Sequence, residues 1–314
     1  MPSDLHTKPI LLSPTSNMEL SSLAAIVVCF YPDAEKLSRL VTRISPSVRL
    51  VILFDNGGLD INCLPKVEVE IHVESRRVNV GVATALNQAC QVAVQRGMHY
   101  AVSFDQDSLP APEMIEVLMS EMRLARSDGI RVAAIGPQIR DVRDGKMWHS
   151  AFARTAGWIP EKWHGSGTEE VSLLLTSGCL FDLTAWQTIP FDDQLFIDYV
   201  DHNWCWRLAK HGYKVLGTTK TFLMHELSDG LRSFGKRALG RYSPIRRYFQ
   251  FRNAVYHLLY FPMPLGGKLF VMRNIISMLA SVIFLDNSCG LSLKQSMRGV
   301  MHGVCKSFGL HLLV

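Results

Sequence analysis

Paired cysteines, glycine-rich phosphate loops and long apolar runs are all missing from this 314-residue sequence, and each absence closes a route. Its seven cysteines (Cys29, Cys63, Cys90, Cys179, Cys205, Cys289, Cys305) show no CxxC spacing, which argues against a zinc ribbon or a disulfide framework. Most sit within apolar stretches, as reduced thiols do, and imply a reducing compartment. No stretch reaches about 18 uninterrupted apolar residues, so no membrane-spanning helix is expected. The N-terminus carries Asp4, His6 and Lys8 where a signal peptide needs an apolar centre. No GxGxxG follows a strand, which disfavours a Rossmann dinucleotide site. Acidic residues are absent between Gly230 and Arg252, while Arg232, Lys236, Arg237, Arg241, Arg246, Arg247 and Arg252 all fall there. Such a block suits phosphate, an anionic membrane surface or nucleic acid, or is simply a solvated face.

What is present is a globular composition, 48% hydrophobic and 19% charged. After a Ser- and Pro-rich stretch over 1–22, residues 23–30 form an unbroken apolar run ending at Tyr31-Pro32, the pattern of a strand buried on both faces. Residues 49–54 repeat it and end in the turn signal Asp55-Asn56-Gly57-Gly58. Further strands are expected over 67–73, 99–104 and 131–135, and a short one over 214–217. Helices are expected over 33–44, 81–96, 111–126 and 199–211. This alternation predicts an α/β domain with a mainly parallel sheet, whose ligands bind beyond the carboxyl ends of its strands. Pro32, Asp55 and Asp105 all fall at such ends.

Several residues there have chemistry to offer. Asp105-Gln106-Asp107 sets two carboxylates one residue apart, a spacing that binds a hard divalent cation or merely caps the next helix. Asp55-Asn56-Gly57 either reads a base or ribose or is a plain turn. Asn79-Val80-Gly81 opens a helix whose N-terminus would welcome phosphate. Asp198 and Asp201 precede Trp204 and Trp206. A carboxylate in that dry setting would have its pKa raised, as suits a general base, though helix-dipole pairing explains acids there equally well. His225 is a structural imidazole or a metal ligand.

Taken in order, these motifs resemble the inverting family 2 glycosyltransferases of GT-A fold, and within them the bacterial rhamnosyltransferases. The resemblance runs from about residue 23 to 253. It is carried by Val27-Val28-Cys29-Phe30-Tyr31-Pro32, Asp55-Asn56-Gly57, Asn79-Val80-Gly81-Val82-Ala83, Phe104-Asp105-Gln106-Asp107-Ser108, Ser177-Gly178-Cys179-Leu180, Phe196-Ile197-Asp198-Tyr199-Val200-Asp201, His225, and Arg246-Arg247-Tyr248 with Arg252-Asn253. It implies a GT-A nucleotide-binding domain over 23–243, followed by a helical C-terminal region over 244–314. Phe30, Pro32, Asp55, Asn79 and Asp105 would line the nucleotide sugar, dTDP-L-rhamnose, and Arg246, Arg247 and Arg252 its diphosphate or an anionic acceptor. Asp107, with Asp105 and His225, would hold Mg²⁺ or Mn²⁺. Asp201 aligns with the second acid of the family's Glu-Asp pair, the catalytic base; Val200 replaces the Glu, and Asp198 one turn earlier is the other candidate.

The resemblance further implies a saccharide or glycolipid acceptor in the synthesis of cell-surface polysaccharide, such as O-antigen or lipopolysaccharide, and no nucleic-acid partner. A nucleotidyltransferase is the first alternative, but no Gly-rich loop with an activating base follows Pro32. A non-catalytic nucleotide-sugar-binding protein is the second, and the presence of both the acid pair and Asp201 speaks against it. Beyond residue 254, apolar helices interspersed with Lys268, Arg273, Lys294, Arg298 and Lys306 are expected either to lie in a membrane plane or to pack on the catalytic domain or a second subunit. The expected location is therefore peripheral, on the cytoplasmic face of the cell membrane.

Overall fold

A computed structural model describes residues 22–76, 78–141, 147–148, 167–226, 231–234 and 237–309. The Ser- and Pro-rich leader expected over 1–22 thus lies outside the described residues except for Ser22.

The first half is a parallel α/β unit. Strand β1 (Leu23–Cys29) is buried at every residue except Val28. It pairs in parallel with β2 (Leu50–Asp55) on one side and β4 (Tyr100–Asp105) on the other, and β3 (Glu70–Ser75) forms the edge beyond β2. Apolar runs give strands here because both faces are covered by crossover helices. Helix α1 (Ala34–Ile44) buries Leu37, Leu40, Val41 and Ile44, one per turn on one face, and Asp33 caps it by accepting from the Lys36 N–H. Helix α2 (Val82–Gln95) buries Ala83, Ala85, Leu86, Ala89, Cys90 and Ala93, small side chains that bring it close to the sheet. Each fully buried Leu or Ile in this layer contributes roughly 1.5–3 kcal/mol.

The second half interleaves antiparallel strands. Where a helix start was expected after Ser108, the chain instead forms β5 (Leu109–Pro110), and helix α3 begins only at Met114 and runs to Ser127. The proline fits because β5 is an edge pairing only with β10. Strand β6 (Val132–Asp141) is twice the expected length. Two short strands, β7 (Met147–Trp148) and β8 (Thr168–Glu170), flank β6 and β10. Strand β9 (Cys179–Asp182) inserts antiparallel between β4 and β6, and helices α4 (Leu183–Thr188) and α5 (Val200–Lys210) follow. Strand β10 (Lys214–His225) runs 12 residues where a short strand was expected, so His225 ends a strand rather than following one. The sheet order is β3-β2-β1-β4-β9-β6-β10-β5. A separate hairpin, β11 (Leu231–Phe234) with β12 (Arg237–Gly240), comes next.

Three helices close the chain: α6 (Pro244–Tyr260), α7 (Leu265–Leu285) and α8 (Cys289–Val304). Helix α8 lies so close to α6 that a Cβ on Gly299 would stand 2.4 Å from the Tyr248 carbonyl oxygen. Where no membrane-spanning helix was expected, helix α7 is long and apolar enough to cross a membrane, by length and composition. The most apolar window of its 21 residues has a mean hydropathy of 1.7, and only 17% of that window is buried. Lys268 and Arg273 interrupt the run but leave its average high, which is why a search for unbroken apolar stretches passes over it.

Candidate active site

The carboxyl ends of the parallel strands form a shelf. Because Cys29 pairs with Asp55 and Val28 with Asp105, the residues following β1, β2 and β4 emerge side by side. Phe30 is 47% exposed there and stacks edge-on against Tyr31, while Pro32 is half-buried. Gln106, between the two aspartates, clamps this row: its Oε1 accepts from the Phe30 N–H at 2.7 Å, and its Nε2 donates to the Phe30 carbonyl at 3.1 Å. Asp55 spends its carboxylate on its own loop. One oxygen accepts from the Gly57 and Leu59 N–H groups, the other from the Ser75 hydroxyl. The turn reading therefore holds for Asp55 in this structure, while its half-buried side chain still borders the shelf.

Asn79 likewise turns inward, accepting from the Gly81 N–H. Buried Asn56 fixes that loop by accepting from the Val80 N–H and donating to the Gly81 carbonyl. The expected phosphate site at the N-terminus of α2 is not open. The Phe196 carbonyl accepts from the Val82 and Ala83 N–H groups at 2.6 and 3.3 Å. A Cβ on Gly81 would collide with the Phe196 ring, so only glycine admits this cap.

The acid pair does meet His225. Asp105 and His225 are brought together because β5 and β10 pair through Met224 and Leu109, just beyond the acid loop. His225 Nε2 lies 3.3 Å from Asp105 Oδ2, and its Nδ1 is 3.8 Å from Asp107 Oδ1. A closed ring of contacts orients the imidazole. The Asp105 N–H donates to the Ser177 hydroxyl, which bonds the Ser108 hydroxyl at 2.7 Å, which in turn meets His225 Nδ1 at 3.0 Å. Burial and the neighbouring Asp105 charge push the Asp107 carboxyl up from its ordinary value. That repulsion is what a divalent cation relieves, and two carboxylates with an imidazole are donors that Mg²⁺ or Mn²⁺ accepts. Among the described residues, no group of three or more His, Cys, Asp or Glu is placed to hold a metal ion by itself. A metal bound here would have to take most of its ligands from water and diphosphate oxygens.

The two candidate bases differ sharply. Asp198 is paired with Arg246, whose Nε and Nη2 lie 3.2 and 3.3 Å from its two oxygens. Asp201, in the first turn of α5, accepts from the backbone N–H of His202 at 2.8 Å and lies 2.7 Å from His202 Nδ1. Burial is the largest influence on Asp201 and acts upward, but the His202 imidazole and the backbone N–H together hold its carboxyl below the ordinary value. This corrects the expectation of a raised pKa, because the partner, not the aromatic setting, dominates. Burial foremost, with the Asp201 charge adding to it, pushes the Cys205 thiol up to about 12.

Two arginines expected at the diphosphate lie inside the protein. Arg247 is 1% exposed and forms a two-pronged pair with Asp286 at 2.9 and 2.8 Å, with further bonds to Gln250 and Ser281. Arg252, also 1% exposed, donates to Asn253 Oδ1 and to the Gln194 and Leu195 carbonyls. A guanidinium with its donors committed in the core does not reach a ligand, so both phosphate expectations give way to structural roles. Arg246, at the half-buried start of α6, still borders the site. Sequence reasoning missed Gln106, Ser108, Ser177, His202 and Asn253. All but His202 stand inside the quoted motifs, yet their partners lie 55 to 117 residues away in sequence, where spacing carries no signal.

No family model matches the chain. A curated relative, the dTDP-rhamnosyl transferase RfbF of Shigella flexneri, is 26% identical over 239 residues, covering 74% of this chain and 79% of the relative. Among solved structures, residues 1–349 of S. aureus TarS superpose with a TM-score of 0.54 at 12% identity, covering 90% of this chain and 81% of that one. The same protein in complex with UDP-GlcNAc gives 0.53 at 12% identity, covering 92% and 82%.

Proposed function

We propose that this chain, a glycosyltransferase with the GT-A fold, moves L-rhamnose from dTDP-L-rhamnose to a saccharide or glycolipid acceptor with inversion at the anomeric carbon. The observation that carries the reading is the convergence of Asp105 and Asp107 on His225 at the strand ends, with Asp201 in the first turn of α5 as a second acid station. The name of the Shigella relative supports the donor, and the ordered motifs support the branch.

In this mechanism Asp201 accepts the proton of the acceptor hydroxyl as that oxygen bonds to the anomeric carbon. The bond from that carbon to the β-phosphate oxygen breaks, and dTDP leaves with the electron pair. Asp198 serves by holding Arg246, which engages both of its oxygens, whereas the His202 contacts fall on a single oxygen of Asp201. Arg246 then meets the charge growing on the diphosphate. Asp107, with Asp105 and His225, would hold Mg²⁺ or Mn²⁺, which neutralises diphosphate charge when bound. His202, through its backbone N–H and its imidazole, holds the Asp201 carboxyl down against the upward pull of burial. The test is release of dTDP from dTDP-L-rhamnose on addition of acceptor and a divalent ion. Release that persists in Asp201→Ala, or that never occurs in the wild type, overturns the assignment.

The α7–α8 surface is proposed to rest on an anionic membrane from the cytoplasmic side, delivering a lipid-linked or cell-surface polysaccharide acceptor. Leu265, Leu269, Met272, Ile276, Leu279 and Ile283 are all exposed along one stripe of α7, with Arg273 exposed and Lys268 half-buried beside it and Lys294 exposed on α8. From residue 244 to 309 the only acid is Asp286, which is buried against Arg247, so no exposed carboxylate opposes anionic lipid. Flotation with anionic but not neutral vesicles supports this. A salt-insensitive dimer with no flotation would assign the stripe to a second copy instead.

A further inference from the structure

We infer that Asn253, steadied by Arg252, is a positioning residue that holds the loop carrying the base, so that helix α6 belongs to the catalytic apparatus. The role rests on the reading of Asp201 as the base. The segment before α5 is backbone-strained: Phe196, Asp198 and Tyr199 have φ of 65°, 60° and 64°, three of the five non-glycine residues at positive φ among the described residues. Such conformations persist only where the surroundings over-determine them.

Here the surroundings are α6. The Asn253 side-chain amide donates to the carbonyls of Leu195, Ile197 and Asp198 at 3.0, 2.8 and 2.8 Å. Arg252 Nη2 donates to the carbonyls of Gln194 and Leu195, both at 2.8 Å. Arg252 Nε donates to Asn253 Oδ1 at 2.9 Å, which fixes the amide with its NH₂ toward the loop. The one carbonyl these two residues skip, that of Phe196, is the cap on α2. Every carbonyl from 194 to 198 therefore has a partner, four from α6 and one from α2. Asn253 is fully buried, so water does not substitute for it. One turn on, His257 donates from Nδ1 to the Asn253 carbonyl and stacks on Tyr199 at 5.3 Å, bracing the last strained residue before α5. The loop is held between the nucleotide-side helix and the C-terminal helix, and Asp201 follows it directly.

The experiment compares Asn253→Ala and the shape-conserving Asn253→Asp with Asp286→Asn, which weakens the C-terminal helices without touching the loop. Rates are read as dTDP release from dTDP-L-rhamnose, alongside Tm and amide hydrogen exchange. In both Asn253 variants kcat is expected to fall about 100-fold, as a displaced base does, while KM for the donor moves by no more than about twofold. Exchange at the Val82 and Ala83 amides, distant in sequence, should accelerate as the Phe196 cap loosens. Asp286→Asn should lower Tm yet leave kcat and those two amides unchanged. An Asn253 loss of kcat no larger than that of Asp286→Asn at equal Tm, or wild-type exchange at Val82 and Ala83, overturns the inference. If the wild type releases no dTDP, the functional reading has failed by itself, and exchange alone decides the tether. Should Asn253→Ala not fold, Asn253→Asp carries the same comparison.

Discussion

The strand-end shelf and the loop that carries Asp201 are built in opposite ways. The shelf consists of residues that follow directly from parallel strands in register, and its side chains are held by near neighbours on the same sheet. The loop before α5 has strained backbone and is held by residues from α2 and α6, 110 or more residues apart from each other along the chain. A sheet edge presents groups cheaply, because the ladder has already ordered the backbone. As the proposed base, Asp201 needs a placement that no ladder supplies, and the loop before it is held by long-range carbonyl bonds.

That contrast breaks most visibly at the base. Asp201→Asn, isosteric and unable to accept the proton, is expected to lower kcat by about 10²–10⁴-fold with donor binding retained; steady-state kinetics with thermal-shift titration of dTDP checks it. Structural support on the α6 side should behave differently. Asp286→Ala removes the carboxylate that neutralises buried Arg247 and is expected to cost about 3–5 kcal/mol in denaturant unfolding. Donor affinity measured on the folded fraction should not change.

The α6 side also carries a pH signature. Burial foremost, with the neighbouring His202 charge, lowers His257 to about 4 from its ordinary 6.5. Between those values the unfolded chain binds a proton that the native state does not, so stability rises with pH through that window. Acidification from pH 6.5 to 4 should cost about 3 kcal/mol through this group, lost below pH 4 in full. Unfolding of His257→Gln across the same range should show a shallower dependence. On the shelf side, Ser108→Ala breaks the ring that orients His225 and should weaken divalent-ion dependence about 10–100-fold, read as the metal concentration for half-maximal rate. The finest distinction is electrostatic. In His202→Gln, burial is left to dominate Asp201, so the acid limb of the kcat/KM profile should move to higher pH.

Much of the shelf was legible in the linear chain. An apolar run closed by Pro32 or Asp55 is already a buried strand with its end marked, and the parallel alternation places those ends together. Asp105, Asp107 and His225 were named without coordinates and do converge. The arginines show the opposite case. Arg246, Arg247 and Arg252 look alike in a basic block, yet only the first borders the site. Which arginine faces a ligand depends on which side of α6 meets α7 and α8, and helical spacing alone leaves that undecided. The α2 N-terminus illustrates the same limit, since its cap comes from Phe196, more than a hundred residues on.

The sequence alone determined the α/β alternation, the order of the acid motifs and the apolar character of the C-terminal helices, because periodicity and turn chemistry act over a few residues. Only the tertiary structure decided which partner each acid takes, which arginines are spent in the core, and what holds Phe196, Asp198 and Tyr199 in strained conformations. Those outcomes are set by burial and by hydrogen bonds between segments far apart in the chain, whose energies exist only once the chain has closed around them.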